Sequence, residues 1–321
     1  MAEPEHESAK AKVQKRALGK TEMQVSEVAL GLWGLTGAYG PVTEMVFEET
    51  VKAALKAGVN LFDVAPLWGD SETRLGALVK ETRDDVRIMT RAGAQWTDNT
   101  LQHRFNIDAL EADCEASLKA LDTDWVDVWM LHDPGEDVVL DDKVVELAQR
   151  LKAEGMIRAF GVTTSRTDVA RAAILKGADV LCMPVHMLHS DDAVDLEFDL
   201  EESGTGFIAR SPLSHGLLTG RWTEYRRFAS DDHRSLRWTK ESLRTRVRTV
   251  NALRYLVHDD VPNLAAAALR YVLGVKGVSA VILGARRAAQ IENAAKMAGK
   301  PPYLPDEDLT RLGQVLAAAG A

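Results

Sequence analysis

Eight short apolar segments recur along this chain, most of them ending in a polar residue or glycine, and helical patterns separate them. Short runs of β-branched and aromatic residues predict strands that are buried on both faces. Strands that alternate with helices form a parallel sheet, and eight such units predict a closed (β/α)8 TIM barrel. The predicted strands are Val28–Gly34, Val59–Asp63, Val86–Arg91, Val126–His132, Ile157–Thr164, Asp179–Met183, Gly206–Ser211 and Val278–Gly284.

Helical periodicity fills the spaces between these strands. Gly58, Gly155 and Gly177 stand where a helix ends and the next strand begins, which is a common position for glycine. The clearest helical segments are Thr43–Ala57, Ile107–Leu121, Asp141–Glu154 and Thr167–Lys176.

The two ends of the barrel have further features. Val13–Leu18 and Met23–Val28 flank Gly19-Lys20, which predicts an N-terminal β-hairpin that closes the bottom of the barrel. Leu213–Thr239 forms a long insertion after the seventh strand, rich in Arg and Trp, and long loops at this position tend to be functional. Residues 1–12 are polar and predict a disordered tail, which leaves residues 13–321 as a single barrel domain.

Composition excludes several classes of partner. The chain has 321 residues and a net charge of −9, without the basic stripe that nucleic-acid binding requires. No apolar run is long enough for a membrane span, and there is no signal-peptide core. Its two cysteines indicate a reducing compartment. We therefore expect a cytoplasmic protein with a small-molecule substrate, and the oligomeric state, including a homo-oligomer, stays open.

Chemically capable residues stand at successive strand ends. Active sites of such barrels lie at the C-terminal ends of the strands. Each residue alone is also explained as a polar strand end that bonds to loop backbone, but the ring as a whole predicts a ligand site. Its members are Trp33, Asp63, Arg91, His132, Thr163, Thr164, Cys182, Arg210, Ser211 and Gly284.

Four ordered motifs make the chain resemble the aldo/keto reductase superfamily from about residue 17 to residue 298. They are Phe62–Gly69 with Ser71-Glu72, Leu131–Pro134, Ser211–Leu213 with Gly216–Gly220, and Ile282–Arg286 with Gln290 and Glu292. The resemblance implies an oxidoreductase that acts on a carbonyl or alcohol substrate with NADP(H) as cofactor.

The catalytic positions implied by this resemblance depart from the family pattern of Asp, Tyr, Lys and His. Asp63 and His132 are kept, whereas Trp68 stands at the Tyr position and Arg91 at the Lys position. Indole N–H donates a hydrogen bond but has no accessible acidity. Arginine stays protonated and cannot relay a proton. The usual proton delivery is therefore absent.

The resemblance also implies where the cofactor binds, and aromatic residues in the strand-end loops indicate a substrate pocket. Arg286 and Arg287 suit a 2′-phosphate, which favours NADP over NAD. Trp33, Tyr39, Trp96 and Trp222 fall in strand-end loops and are interpreted as the substrate pocket, with Tyr39 a candidate substitute acid. The predicted cofactor-binding residues are Thr163, Thr164, Cys182, Arg210, Ser211, Leu213, Gly216, Leu218, Gly284, Arg286 and Gln290.

Cys182, His186 and His189 also follow one another after the sixth strand. Cysteine and histidine can bind zinc, but structural zinc sites show tighter paired spacing, so no metal is predicted.

Three functions stay open on the sequence alone. The first is an NADP(H)-linked oxidoreductase in which His132 polarises the carbonyl. The second is a non-redox lyase, isomerase or hydrolase on the same barrel, with His132 as acid/base and Arg91 or Arg210 as an anion clamp. The third is a catalytically silent ligand-binding or regulatory protein.

Overall fold

The computed structural model describes residues 12–98 and 100–319, so the predicted tail lies outside the described residues except for Lys12. Its strands are β1 (Lys15–Ala17), β2 (Gln24–Ser26), β3 (Val28–Gly31), β4 (Leu61–Asp63), β5 (Arg87–Ala92), β6 (Ala94–Thr97), β7 (Thr100–His103), β8 (Val126–His132), β9 (Ile157–Thr163), β10 (Val180–Pro184), β11 (Gly206–Arg210) and β12 (Val278–Leu283). Its α-helices are α1 (Glu44–Lys56), α2 (Ser71–Val79), α3 (Ile107–Leu121), α4 (Glu136–Leu140), α5 (Asp142–Ala153), α6 (Thr167–Leu175), α7 (Asp191–Asp195), α8 (Glu197–Ser203), α9 (Lys240–Ala252), α10 (Leu264–Gly274), α11 (Ala288–Met297) and α12 (Asp306–Ala319).

Eight parallel strands close into a barrel in the order β3-β4-β5-β8-β9-β10-β11-β12, which confirms the predicted fold. The predicted strand bounds agree to within about two residues, except at the first strand. Trp33 and Gly34 were expected at its end, but they lie in a 3₁₀ helix over Leu32–Leu35. A 3₁₀ turn aligns residues three apart, and here it buries Leu32 and Leu35 together.

The barrel interior is packed by alternate residues of each strand, because successive side chains of a strand point to opposite faces. Below the upper rim this interior layer contains Leu61, Met89, Met130 and Ile208, all without exposure to solvent. Gly161 belongs to the same layer, and a Cβ atom there would lie 2.8 Å from the Cε atom of Met130. Met130 therefore occupies the space that a larger residue at position 161 would need.

The N-terminal hairpin forms as predicted, with β1 and β2 antiparallel and Ala17 opposite Gln24. Leu18, Met23 and Val25 belong to the same buried cluster as the interior residues of the barrel strands. The hairpin therefore closes the N-terminal end of the barrel, and only the C-terminal end is available for a ligand. We call that end the mouth.

The predicted helices form, and three of the four have a side-chain cap at the residue that precedes them. The Thr43 side chain accepts a hydrogen bond from the backbone N–H of Val46, and the Asn106 side chain accepts one from that of Ala109, at 3.4 and 2.9 Å. Such caps satisfy N–H groups that lack a partner inside the helix. These helices pack their apolar faces against the outer faces of the strands.

Two features at the mouth go beyond the prediction. A hairpin of β6 and β7 stands between β5 and α3. The insertion, residues 213–239, carries short 3₁₀ helices and leads into α9. Leu243, Val247 and Val250 of α9 form a second apolar cluster with residues of α10 and α12. Within the described residues, no helix has the length and apolar character to cross a membrane.

Candidate active site

Strand alternation determines which predicted residues face the barrel axis at the mouth. The interior residues Leu61, Met89, Met130 and Ile208 are each followed, two positions later, by Asp63, Arg91, His132 and Arg210. Residues two apart on a strand point to the same face. The four polar side chains therefore form the uppermost inward layer. Thr164 and Ser211 are each one residue past an inward position, so they do not belong to this layer.

Asp63 and Arg91 form a buried ion pair between neighbouring strands. Nη1 of Arg91 lies 2.7 Å from Oδ1 of Asp63, and Nη2 donates a hydrogen bond of 3.1 Å to Oδ2. Both residues are only 3% exposed. Burial raises the pKa of Asp63 to about 6, against the opposing charge and hydrogen bond of Arg91.

Trp68 covers this ion pair. The guanidinium carbon of Arg91 lies 4.5 Å from the ring centroid of Trp68, which is a cation–π contact. Trp68 and Arg91, the two residues that depart from the family's catalytic pattern, are thus in contact with each other. Beside them, Trp96 on β6 is 58% exposed, and its indole N–H donates to the carbonyl of Leu67 at 3.0 Å.

His132 is a neutral imidazole at the mouth. Burial, together with the positive charges of Arg91 and Arg210, lowers the pKa of His132 to about 3. Its Nδ1 atom is buried and has no hydrogen-bond partner within the described part of the chain. A neutral imidazole carries one N–H donor and one acceptor nitrogen. Because His132 as a whole is half-buried, a ligand at the mouth can reach its neutral ring through the side that is not buried.

The strands next to His132 carry smaller groups. Thr163 is opposite His132 on β8 and opposite Cys182 on β10. Cys182 is completely buried among the interior residues, below the rim. Burial raises the pKa of the Cys182 thiol, so this group stays neutral. Thr164 is 1% exposed, and its hydroxyl accepts a hydrogen bond from the backbone N–H of Arg166 at 3.1 Å.

The insertion folds back onto the loop after β3. The backbone N–H of His233 donates to the carbonyl of Ala38 at 3.0 Å. The Tyr39 hydroxyl lies 3.3 Å from Nδ1 of His215, and burial raises the pKa of Tyr39 to about 12. Trp33 packs on the His233 ring with centroids 4.5 Å apart. Tyr39 is therefore held within this contact and is a weak acid.

Arg234 lies at the centre of that contact. Its guanidinium carbon is 4.7 Å from the Tyr39 ring, 4.8 Å from the Phe228 ring and 5.6 Å from the Trp222 ring. Its side chain also pairs with Asp232 and donates to the carbonyl of His215 at 3.2 Å. Three of the four predicted pocket aromatics, Trp33, Tyr39 and Trp222, thus meet around the insertion.

The loop that follows β11 has an unusual backbone. Ser211, Ser214 and His215 have φ values of 61°, 44° and 57°, and Gly216 has φ 97°. Positive φ is costly for residues other than glycine and is concentrated at functional sites. Within the loop, the backbone N–H groups of Ser214 and Gly216 donate to the carbonyls of Ser211 and Leu213, both at 2.9 Å, which holds this conformation in place. Leu213 and Leu218 anchor the loop in the apolar clusters.

The end of β12 is partly open. A Cβ atom placed on Gly284 would meet no atom within 4 Å. Arg286 donates from Nη2 to the carbonyl of Gly40 at 3.0 Å, and its backbone N–H donates to the Gln290 side chain at 2.7 Å. Nε of Arg286 is buried without a partner in the described residues, and Arg287 is exposed.

Comparison with known proteins identifies this arrangement. The sequence model of the Aldo/keto reductase family matches residues 27–317. This chain belongs to the aldo/keto reductase family. It is similar to "Aldo-keto reductase YhdN" of Bacillus subtilis, with 29% identity over 302 residues and 88% of each chain covered. It is also similar to "L-galactose dehydrogenase" of Arabidopsis thaliana, with 28% identity over 294 residues, 88% of this chain and 86% of that protein.

A solved structure supports the same fold. The glycerol dehydrogenase of Gluconobacter oxydans superposes with a TM-score of 0.83 at 24% identity, and the match covers 95% of both chains. Members of the aldo/keto reductase family generally use NAD(P)H. For this aldo/keto reductase, the positive-φ loop after β11, the open strand end at Gly284 and the unpartnered Nε of Arg286 fit a phosphate-bearing nucleotide.

Sequence reasoning missed several residues of this aldo/keto reductase's mouth. The sequence indicates only an Arg-rich insertion at Arg234 and His233, and the contacts of these two residues with Tyr39 form when the insertion folds. His186 and His189 form a turn with each other, whereas Cys182 lies inside the barrel. No set of three or more metal-binding side chains comes together in residues 12–98 and 100–319.

Proposed function

We propose that this aldo/keto reductase is an NADP(H)-linked oxidoreductase that interconverts a small carbonyl compound and its alcohol. Neutral His132, and not a tyrosine, donates the hydrogen bond to the carbonyl oxygen. The observation that carries this proposal is the position of a half-buried, neutral His132 in the inward layer of the mouth, beside Arg91 and Arg210. The low pKa of His132 keeps the imidazole neutral at physiological pH.

The residues of the site have separate roles in this proposal. The nucleotide, when bound, supplies the hydride that reduces the carbonyl carbon. His132 polarises the carbonyl by its N–H group, and a proton from water completes the alcohol. Asp63 holds Arg91 in place by two contacts, and Trp68 covers Arg91 from the other side. Arg91 then stabilises negative charge that develops on the oxygen, without giving up a proton.

The cofactor preference follows from the arginines after β12. Arg286 is committed to the carbonyl of Gly40, whereas Arg287 is exposed. We propose that Arg287 binds the 2′-phosphate of NADP(H), while the loop of Ser211, Leu213, Gly216 and Leu218 holds the pyrophosphate. Guanidinium groups favour phosphate through charge-assisted, bidentate hydrogen bonds.

Nucleotide titration tests this proposal. NADPH and NADH are added to the purified protein while nucleotide fluorescence is followed. We expect NADPH to bind more tightly, and Arg287→Gln to weaken NADPH by about 10-fold, the loss of one charge-assisted contact. Arg171→Gln removes the same charge from an exposed position on α6, outside the loop proposed for the pyrophosphate, and is the matched control. Absence of binding at millimolar nucleotide eliminates the redox function.

Activity gives the second test. His132→Asn is expected to lower kcat for aldehyde reduction by about 100-fold, the usual effect of losing one preorganised donor. The dissociation constant of NADPH should not change, because His132 serves the carbonyl. An unchanged kcat contradicts the role of His132.

A non-redox lyase or isomerase is the second candidate, and one observation favours it. Trp68 stacks on Arg91, and this pair replaces the residues that normally deliver the proton in the family. Nucleotide binding separates the two functions, because a lyase or isomerase of this kind needs no nicotinamide.

A further inference from the structure

Arg210 is a cation without a counter-ion at the mouth. It ends β11, in register with Pro184 on one side and Ile282 on the other. In residues 12–98 and 100–319, no aspartate or glutamate lies within ion-pair distance of its side chain. Burial lowers the pKa of Arg210, and the like charge of Arg91 adds to this. Arginine nevertheless stays charged at neutral pH.

Of the two carboxylates near Arg210, one already pairs with another arginine and the other is exposed to solvent. β11 lies opposite β5 in the ring of eight strands, so Arg210 and Arg91 approach the barrel axis from opposite sides. Asp63 is engaged by two contacts with Arg91. Asp133, the other carboxylate close enough to influence Arg210, is solvent-exposed. The inward layer therefore carries one uncompensated positive charge.

A partly buried charge of this kind has a physical requirement. Removing a charge from water is costly unless an opposite charge compensates it. The planar guanidinium group matches a carboxylate with two parallel hydrogen bonds. An anionic group on a ligand that enters the mouth would supply this compensating charge.

We propose that Arg210 binds the carboxylate of the substrate, so that this aldo/keto reductase acts on small oxo acids and the corresponding hydroxy acids. The inference rests on the proposed function and names its substrate class. His132 and Arg210 belong to the same inward layer, three strands apart around the ring. In this proposal the substrate presents its carbonyl oxygen to His132 and its carboxylate to Arg210.

The chemistry of the step is balanced. The carbonyl carbon accepts a hydride from NADPH, and the carbonyl oxygen accepts a proton from water. The carboxylate stays ionised and bound to Arg210, so it contributes to positioning and takes no part in the bond changes. Arg210 is therefore a specificity-determining residue in this scheme.

The family resemblance places Arg210 among the cofactor-binding residues, so the nucleotide is the competing partner of this guanidinium, and the position of Arg210 favours the substrate. Arg210 lies in the inward layer with His132. The loop proposed for the pyrophosphate begins after it, at Ser211, which does not belong to that layer. The experiment is designed to separate these two anions.

The test compares each carboxylate with its uncharged ester. Dissociation constants of 2-oxobutanoate and its methyl ester, and of 4-carboxybenzaldehyde and its methyl ester, are measured calorimetrically without nucleotide. The kcat/KM values are then measured with NADPH. We expect both carboxylates to bind at least about 10-fold more tightly than their esters, the effect of one charge-assisted pair.

Variants locate the effect. Arg210→Gln should weaken the carboxylates by about 10- to 100-fold and leave the esters and NADPH unchanged. Arg210→Lys should restore part of the preference for carboxylates over esters, because lysine keeps the positive charge but cannot make two parallel hydrogen bonds to one carboxylate. Arg171→Gln on α6 is the matched control, and circular dichroism checks that each variant is folded.

Two results overturn the inference. The first is equal binding of carboxylates and esters by the wild type. The second is an Arg210→Gln variant that loses affinity for NADPH alone, which assigns the arginine to a phosphate. If the carboxylates bind through Arg210 but NADPH does not bind at all, the redox function fails while the anion site stands.

Discussion

Replacing Arg91 by methionine should destabilise the protein in a way that depends on pH. In the wild type, burial holds the pKa of Asp63 at about 6, while Arg91 lowers it by charge and by a hydrogen bond. Arg91→Met removes both lowering effects and keeps the volume apolar, so the pKa of Asp63 rises further. A raised folded-state pKa means that stability is lost as pH rises through it.

The size of the effect follows from proton counting. At pH 5 the buried Asp63 is mainly protonated in both proteins, and its contribution to their difference is small. Above pH 6 the wild type releases this proton and the variant keeps it, while the unfolded chains are ionised alike. The variant should therefore lose stability relative to the wild type by about 1.4 kcal/mol per pH unit until its own pKa is reached.

Urea unfolding followed by circular dichroism measures this difference at pH 5.5, 6.5, 7.5 and 8.5, with unfolding midpoints compared at unchanged m-values. The Asp63→Asn background is the control, since the pH dependence of the Arg91 substitution should vanish there. A stability difference that is the same at every pH would refute the account of a coupled buried pair. So would a pH dependence that survives in the Asp63→Asn background.

Three further outcomes are expected. Trp68→Tyr combined with Arg91→Lys should raise NADPH-dependent reduction of simple aldehydes, and a double variant that binds NADPH but stays inert would show that the hydride geometry is lost. Burial lowers the pKa of His215 to about 3, so the wild type loses stability as the pH falls below the ordinary histidine value near 6.5. His215→Asn should reduce that loss by about 1.4 kcal/mol per pH unit between pH 6 and pH 4, which urea unfolding measures. Arg234→Gln removes the contact that fastens the insertion, so limited proteolysis within residues 220–239 should accelerate, whereas the same change at Arg221 should leave the cleavage rate unchanged.

The strands of the barrel were predictable because their pattern is local. Alternation and the terminal polar residues locate Asp63, Arg91, His132 and Arg210 at the rim, and the same period of two explains why all four face the axis. Helix caps such as Thr43 and Asn106 are equally local signals. Fold and inward layer therefore follow from short-range chemistry.

The surroundings of that layer depend on contacts between distant segments. Nothing near Tyr39 in the sequence indicates that His215 and Arg234 will meet it, because these contacts arise when the insertion folds back. The β6–β7 hairpin has short, mostly exposed strands that mix polar and apolar residues and lack the continuous apolar run of the barrel strands. The partner of Arg286, the carbonyl of Gly40, lies 246 residues away.

The methionines beneath the rim have a consequence for how this mouth can change. Met89 lies one inward position below Arg91, and Met130 one below His132, where its Cε atom reaches across to Gly161. Unbranched thioether side chains adapt their shape at little energetic cost, unlike branched ones. A layer of methionine side chains should therefore accommodate bulkier or differently charged residues above it without disturbing the hydrogen-bonded sheet. New specificities should therefore be easier to engineer over Met89 and Met130 than over Leu61 and Ile208.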